Sequence, residues 1–163
     1  MQDTHDIDLF KNRVRIRVCG WLIEDDQVLL LKHKNIGPLG YLWSPPGGGL
    51  EFGEKINECL IREFKEETNL QIEIVRHLCT NEHISQEHHA IELFFLVKKV
   101  NGVLKMGLDP ELSQENQIIT DAKYFRIDEI QSTNIKAFHS ILSKCKSTTD
   151  IVNLRGFHFF ENF

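Results

Sequence analysis

Glu63, Glu66 and Glu67 stand one, three and four residues apart near the end of a segment, Glu54 to Thr68, that lacks Gly and Pro and consists mostly of good helix formers. At about 100° per residue, Ile56, Cys59, Leu60 and Phe64 define an inward face. Glu63 and Glu67 fall in the middle of that face and Glu66 on its flank. The early turns therefore bury hydrocarbon while the last turn aims carboxylates along the same meridian. Carboxylates ~4 Å apart repel by about 1 kcal/mol in water and about 4 kcal/mol at an effective dielectric of ~20. They also sit near the negative end of the helix dipole. One cation, Arg62, does not neutralise three carboxylates; a hard divalent ion with oxygen ligands would. The bland alternative is a solvated acidic helix end, and the inward phase speaks against it.

Ahead of this helix runs a Gly/Pro-rich loop, Asn35 to Gly53, with Gly47, Gly48 and Gly49 in succession. So long a loop in a compact domain is usually functional. Its glycines let backbone approach a phosphate or a metal. Loop and helix together read Gly48, five residues, Glu54, seven residues, Arg62-Glu63-Phe64-Lys65-Glu66-Glu67-Thr68-Asn69-Leu70. This segment resembles the Nudix box, G-x5-E-x7-R-E-U-x-E-E-x-G-U with U a bulky apolar residue. Gly48, Glu54, Arg62, Glu63, Glu66, Glu67 and Leu70 match, and Phe64 serves as the first U. Asn69 stands where the family has Gly. Asn is the next-best residue for the left-handed backbone that ends a helix, so the departure should cost some stability and spare the chemistry.

The resemblance implies an α/β/α sandwich over roughly residues 13 to 146 and hydrolysis of nucleoside diphosphates linked to another moiety. Carried over by position, Glu66 and Glu67 would bind Mg²⁺ or Mn²⁺, with Glu63 as third ligand or general base and the Gly48 carbonyl as a further oxygen. Arg62 would orient a glutamate by a charge-assisted hydrogen bond. Glu54 would support the loop and partner Arg62. Many family members add a glutamate from outside the box; Glu111 and Glu115 lie in a suitable loop, and Glu115 is the preferred catalytic candidate. Glu92, which interrupts an apolar strand, is another.

Other polar clusters are weaker. His83, His88 and His89 near Glu82 and Glu87 match no metal spacing. Arg13, Arg15 and Arg17 share one strand face; a solvated face is the first expectation, a phosphate or a partner subunit the second. Trp43, Tyr41 and Tyr124 could stack on a base, with core packing expected for Trp43.

The elements that must position this machinery follow from periodicity. Arg13 to Leu22 alternates with period two and pairs as a hairpin with Val28 to Lys32 across Glu24–Gln27. Ile72 to Leu78 and Ala90 to Val100 read as strands, the second apolar on both faces and so central. Asn101-Gly102 predicts a tight turn, with Val103 to Met106 pairing back. Ala122 to Arg126 is a short strand, Ile127 to Ile130 begins a helical turn, and Ile135 to Lys146 reads as an amphipathic helix. This order gives a mixed sheet with helices packed on it, α+β or α/β in class, as one domain over residues 1–163 with its core at about 13–146. The tail, 147–163, carries Ile151, Val152, Leu154, Phe157, Phe159, Phe160 and Phe163. It should dock on its own domain or, failing that, form a homodimer contact.

Bulk properties narrow the partners. The chain has 163 residues, 41% of them hydrophobic, and a net charge of −5. An acidic protein of this size can bury a core but lacks the basic surface of a non-specific nucleic-acid binder. No apolar run approaches the ~18–20 residues of a membrane span, and Met1 to Asn12 lacks the apolar stretch of a signal peptide. Cys19, Cys59, Cys79 and Cys145 form no close pair, so buried reduced thiols in a cytoplasmic protein are expected rather than a zinc ribbon. The expected partner is a small nucleotide. The alternative is a non-catalytic nucleotide-sensing module of the same fold, whose mark would be loss of the box glutamates that this chain keeps.

Overall fold

The computed structural model describes residues 13–85, 88–108 and 117–160. Its strands are β1 (Val14–Glu24), β2 (Gln27–Lys34), β3 (Tyr41–Ser44), β4 (Gly47–Gly49), β5 (Gln71–Ile84), β6 (His89–Asn101), β7 (Ile119–Phe125) and β8 (Phe157–Phe160). Its helices are α1 (Ile56–Thr68), α2 (Ile127–Ser132) and α3 (Thr148–Val152), with two 3₁₀ turns at Ile135–Ala137 and Ser140–Lys144. Among the described residues the strand order is β3-β2-β1-β6-β5-β8, with β4 on β1 and β7 on β2. β1 and β6 run parallel from Val14 beside His89 to Leu22 beside Val97. β1 meets β2 only near the hairpin, at Ile23 and Glu24. The sheet therefore splays, and β4 lies against the middle of β1, at Arg17 to Cys19.

β1 and β6 are apolar on both sides because both sides are covered, as parallel pairs require. Val18, Leu22 and Val97 face α1, which contributes Cys59, Leu60 and Phe64. Cys19, Trp21 and Phe94 face the other way, under Ile127, Ile130, Ile141, Leu142 and Ile151. The result is the expected α/β/α sandwich. All four cysteines are buried and free. No described helix is long and apolar enough to cross a membrane.

Three expectations need correction. Val103 to Met106 forms no strand. β6 already has β1 on one edge and β5 on the other, which leaves no ladder for a returning strand. The segment instead donates Lys105 N–H to Thr68 C=O and Gly107 N–H to Glu67 C=O, satisfying carbonyls that the end of α1 leaves open. Next, Ile135 to Lys146 is not one helix. Phe138 makes a parallel bridge to Trp43 and His139 N–H bonds to Trp43 C=O, so the backbone extends there and separates two 3₁₀ turns. Finally, Arg15 and Arg17 are not a solvated face: both are half-buried, while Val14 and Ile16 are 62% and 45% exposed. The arginines share the phase of buried Cys19 and Trp21, and α1 covers the opposite face only from Val18 onward.

The tail docks on its own domain in part. Ile151 and Leu154 are buried in the larger core, and β8 adds parallel to β5 from Thr80 beside Phe157 to His83 beside Phe160. Phe157 and Phe159 nonetheless remain 63% and 45% exposed.

Candidate active site

α1 starts at Lys55, whose N–H is capped by Glu58, and ends at Asn69 with φ 60° and ψ 12°, the left-handed conformation expected there. The Asn69 side chain reinforces the stop: Oδ1 accepts from Lys65 and Nδ2 donates to Val103 C=O. Cys59, Leu60 and Phe64 are fully buried, and Glu67 is only 7% exposed in the same row.

The glutamates meet β4 there. Gly47 N–H donates to Glu67 Oε2 at 2.9 Å. Gly48 passes beneath Glu63 so closely that a Cβ on it would lie 2.2 Å from Glu63 Oε1. Gly47 has φ +148°, and a Cβ on it would lie 2.2 Å from Val18 O. Glycine is thus required at Gly47 by backbone and at Gly48 by a carboxylate.

Arg62 organises the rest. Its Nε and Nη2 grip Glu54 Oε1 and Oε2 at 2.8 and 3.0 Å, a two-point fork. Its Nη1 reaches Glu63 Oε1 at 2.9 Å and Glu66 Oε2 at 3.2 Å, and Nη2 also reaches Gly49 C=O. Glu54 in turn accepts from Glu51 N–H and pins the loop before the helix. The Arg62 hydrogen bonds hold the Glu54 carboxyl at about 2. Burial pushes Glu63 upward, against the pull of Arg62. One guanidinium thus faces three carboxylates, with Glu67 beside them, and the site keeps a net negative charge.

Gly48, Glu63, Glu66, Glu67 and Arg62 therefore come together as the spacing implied, and Glu54 joins them. Glu115 and Glu111 lie outside the described residues, as does Glu87. Glu92 is elsewhere: it is buried on the opposite face of the sheet from α1, where Asn81 Nδ2 at 2.8 Å and His139 Nε2 at 2.9 Å both reach its Oε2. His89 pairs with Glu82 at 2.9 Å. Trp43 packs in the core on Phe125. Tyr124 donates to Glu24. Two contacts were not legible in the sequence. His33 is buried against Ser44, and Arg17 reaches Gly47 C=O at 3.3 Å. The burial of Arg17 was signalled by its common phase with Cys19 and Trp21.

Comparison with known proteins agrees with this geometry. The NUDIX domain family model matches residues 13–144. The chain is 32% identical over 96 residues to an ADP-ribose pyrophosphatase of Methanocaldococcus jannaschii, covering 58% of this chain and 56% of that protein. It is 35% identical over 108 residues to the 8-oxo-dGDP phosphatase NUDT18 of Mus musculus, covering 63% of this chain and 32% of that protein. The chain thus spans about half or less of these curated relatives. A NUDIX hydrolase structure from Nitrosomonas europaea superposes with a TM-score of 0.69 at 21% identity, over 88% of this chain and 93% of that one; this likeness shows the fold. With its box assembled on α1 and β4 and the family model spanning most of its length, the chain belongs to the Nudix family.

Proposed function

We propose that this chain is a divalent-metal-dependent pyrophosphohydrolase acting on a nucleoside diphosphate linked to another moiety. The observation that carries this reading is the packing of Glu63 and Glu67 against bare glycine backbone, with Glu66 and Glu63 sharing a single arginine. The names of two relatives, one for ADP-ribose and one for 8-oxo-dGDP, support a sugar nucleotide or a nucleoside diphosphate as the first substrates to try. Four buried free thiols suit a reducing cytoplasm.

The donor set fits Mg²⁺ or Mn²⁺, since it consists of hard oxygens on a cradle that any side chain at Gly48 would fill. Among the described residues no three such groups converge as a preformed cage, because Arg62 engages Glu63 and Glu66 while Gly47 engages Glu67. Glu66 and Glu67, with Glu63 and the Gly48 carbonyl, would hold the ion. When bound, the ion screens the diphosphate and acidifies a water. Arg62 keeps Glu63 and Glu66 in place and cancels part of their repulsion. Glu63 is the third ligand or the proton acceptor, and Glu115 is proposed as the additional glutamate that takes a proton from water.

The test is phosphate release from a nucleotide-diphosphate panel at alkaline pH, coupled to a phosphatase, with Mg²⁺ or Mn²⁺ and with chelator. Metal-dependent release from one or a few compounds is expected. Glu66→Gln and Glu67→Gln should each lower the rate by at least ~10²-fold with the fold intact, since Gln still accepts from Gly47 N–H. Near-normal turnover in both would overturn the roles. Silence across the panel with thermal stabilisation by a nucleotide would replace catalysis with nucleotide sensing.

A further inference from the structure

Arg17 stands out among the charged groups that the box does not use. It lies on the face of β1 opposite α1, cross-strand from Glu92 on one side and from Gly49 of β4 on the other. β4 consists of glycines, so only backbone separates its guanidinium from the glutamates of α1. A guanidinium offers a fork of N–H donors. Among the described residues, Arg17 uses one of them, in a 3.3 Å bond from Nη2 to Gly47 C=O. Its Nε is buried with no partner. Such a donor costs free energy unless something arrives to accept from it.

The surroundings keep this cation charged and aimed. Burial opposes its charge, but the carboxylates of Glu92, Glu67 and Glu63 within electrostatic reach raise its pKa above the ordinary arginine value. Glu92 is itself anchored. Ile141 N–H donates to His139 Nδ1, so Nε2–H is the group that donates to the Glu92 carboxylate. Asn81 donates to the same carboxylate oxygen. Burial works against ionisation of Glu92, yet His139, Arg17 and Asn81 hold its carboxyl well below the usual range. Glu92 is thus a fixed negative charge beside Arg17 with no ion-pair contact to it shorter than 4.0 Å among the described residues, which leaves the fork open to another acceptor.

We propose that Arg17 is a substrate-binding residue that takes phosphate oxygens of the diphosphate across β4 from the metal-binding glutamates, and that Glu92 is the positioning residue that holds it there. A divalent ion on the glutamates would cancel the charges that now attract Arg17 and leave an anionic diphosphate as its best partner. The inference rests on the pyrophosphohydrolase reading and adds the protein cation that the box lacks, since Arg62 is committed to Glu54, Glu63 and Glu66.

The experiment is calorimetric binding of α,β-methylene-ADP and its guanine counterpart, in Mg²⁺, to the wild type, Arg17→Gln, Arg17→Lys and Glu92→Gln. Mn²⁺ affinity of each protein is read separately by electron paramagnetic resonance. Arg17→Gln should weaken nucleotide binding at least tenfold, Arg17→Lys should recover part of the loss, and Glu92→Gln should fall between them, while Mn²⁺ affinity stays within twofold. Nucleotide affinity unchanged in Arg17→Gln, or no nucleotide binding by the Mn²⁺-competent wild type, overturns the proposal. So does a parallel loss of Mn²⁺ affinity, which would show Arg17 acting only through Gly47 and the glutamates. A wild type that takes up no Mn²⁺ overturns the pyrophosphohydrolase reading itself.

Discussion

Gly48 shows how little space the site leaves at a single residue. The Cβ of alanine there would meet Glu63 Oε1 at 2.2 Å, and a carboxylate at the end of a flexible side chain can swing away. Gly48→Ala should therefore keep its melting temperature within a few degrees while lowering turnover at least ~10-fold, because the displaced group belongs to the proposed metal-binding set. Gly47 differs. Its Cβ would strike backbone at Val18 and its φ is +148°, so Gly47→Ala should destabilise the fold by about 2 kcal/mol or more. Chemical denaturation with a metal-dependent assay on both variants separates the two effects; equal stability losses would show that the Gly48 contact is structural.

At the scale of elements, α1 needs both of its ends. Its C-terminal carbonyls are met by Lys105 and Gly107 from the segment after β6, and its stop residue sits in the left-handed region. Asn69→Gly would relax that backbone but lose the side-chain bonds to Lys65 and Val103. The two effects should nearly cancel, leaving stability within about 0.5 kcal/mol and turnover unchanged; a large loss of activity would mean that the family's usual glycine is chemical in its role. The C-terminal elements also belong to the domain. Ile151 on α3 is fully buried in the larger core, so Ile151→Ala should cost about 2–5 kcal/mol, measured by urea unfolding. A loss below ~1 kcal/mol would show that the tail is dispensable.

The whole molecule should lose stability in acid in two steps. Burial holds His33 at about 4, below its ordinary 6.5. The unfolded chain therefore takes up this proton first as the pH falls. Stability present above pH 6.5 drains away down to about 4, by on the order of 3 kcal/mol. Glu54, held at about 2 by Arg62, adds a second loss between its ordinary 4.5 and about 2, with the same sign because the unfolded carboxyl protonates first. Unfolding midpoints measured from pH 7.5 to 3 should follow this course, and His33→Gln should flatten the upper step. An unchanged slope between pH 6.5 and 4 in that variant would assign the loss to other groups.

The box was legible in the sequence because it is local. Residues one turn apart on a helix meet whatever the rest of the chain does, so the grouping of Arg62, Glu63, Glu66 and Glu67 on the last turns of α1 followed from spacing, as the left-handed stop at Asn69 followed from residue type and the central place of β6 from its two apolar faces. What the sequence left open depends on contacts distant along the chain. Val103 to Met106 had every local mark of a returning strand, yet both edges of β6 were taken and the helix end needed donors. Ile135 to Lys146 had helical periodicity, yet Trp43, more than ninety positions upstream, drew Phe138 into extended pairing. Arg17 was expected first on a solvated strand face and only second at a phosphate or a partner subunit, and Glu92 read as an acid that interrupts an apolar strand. Only the parallel register of β1 on β6 makes them neighbours, because strand pairing is decided by burial of both faces at once and not by either segment alone.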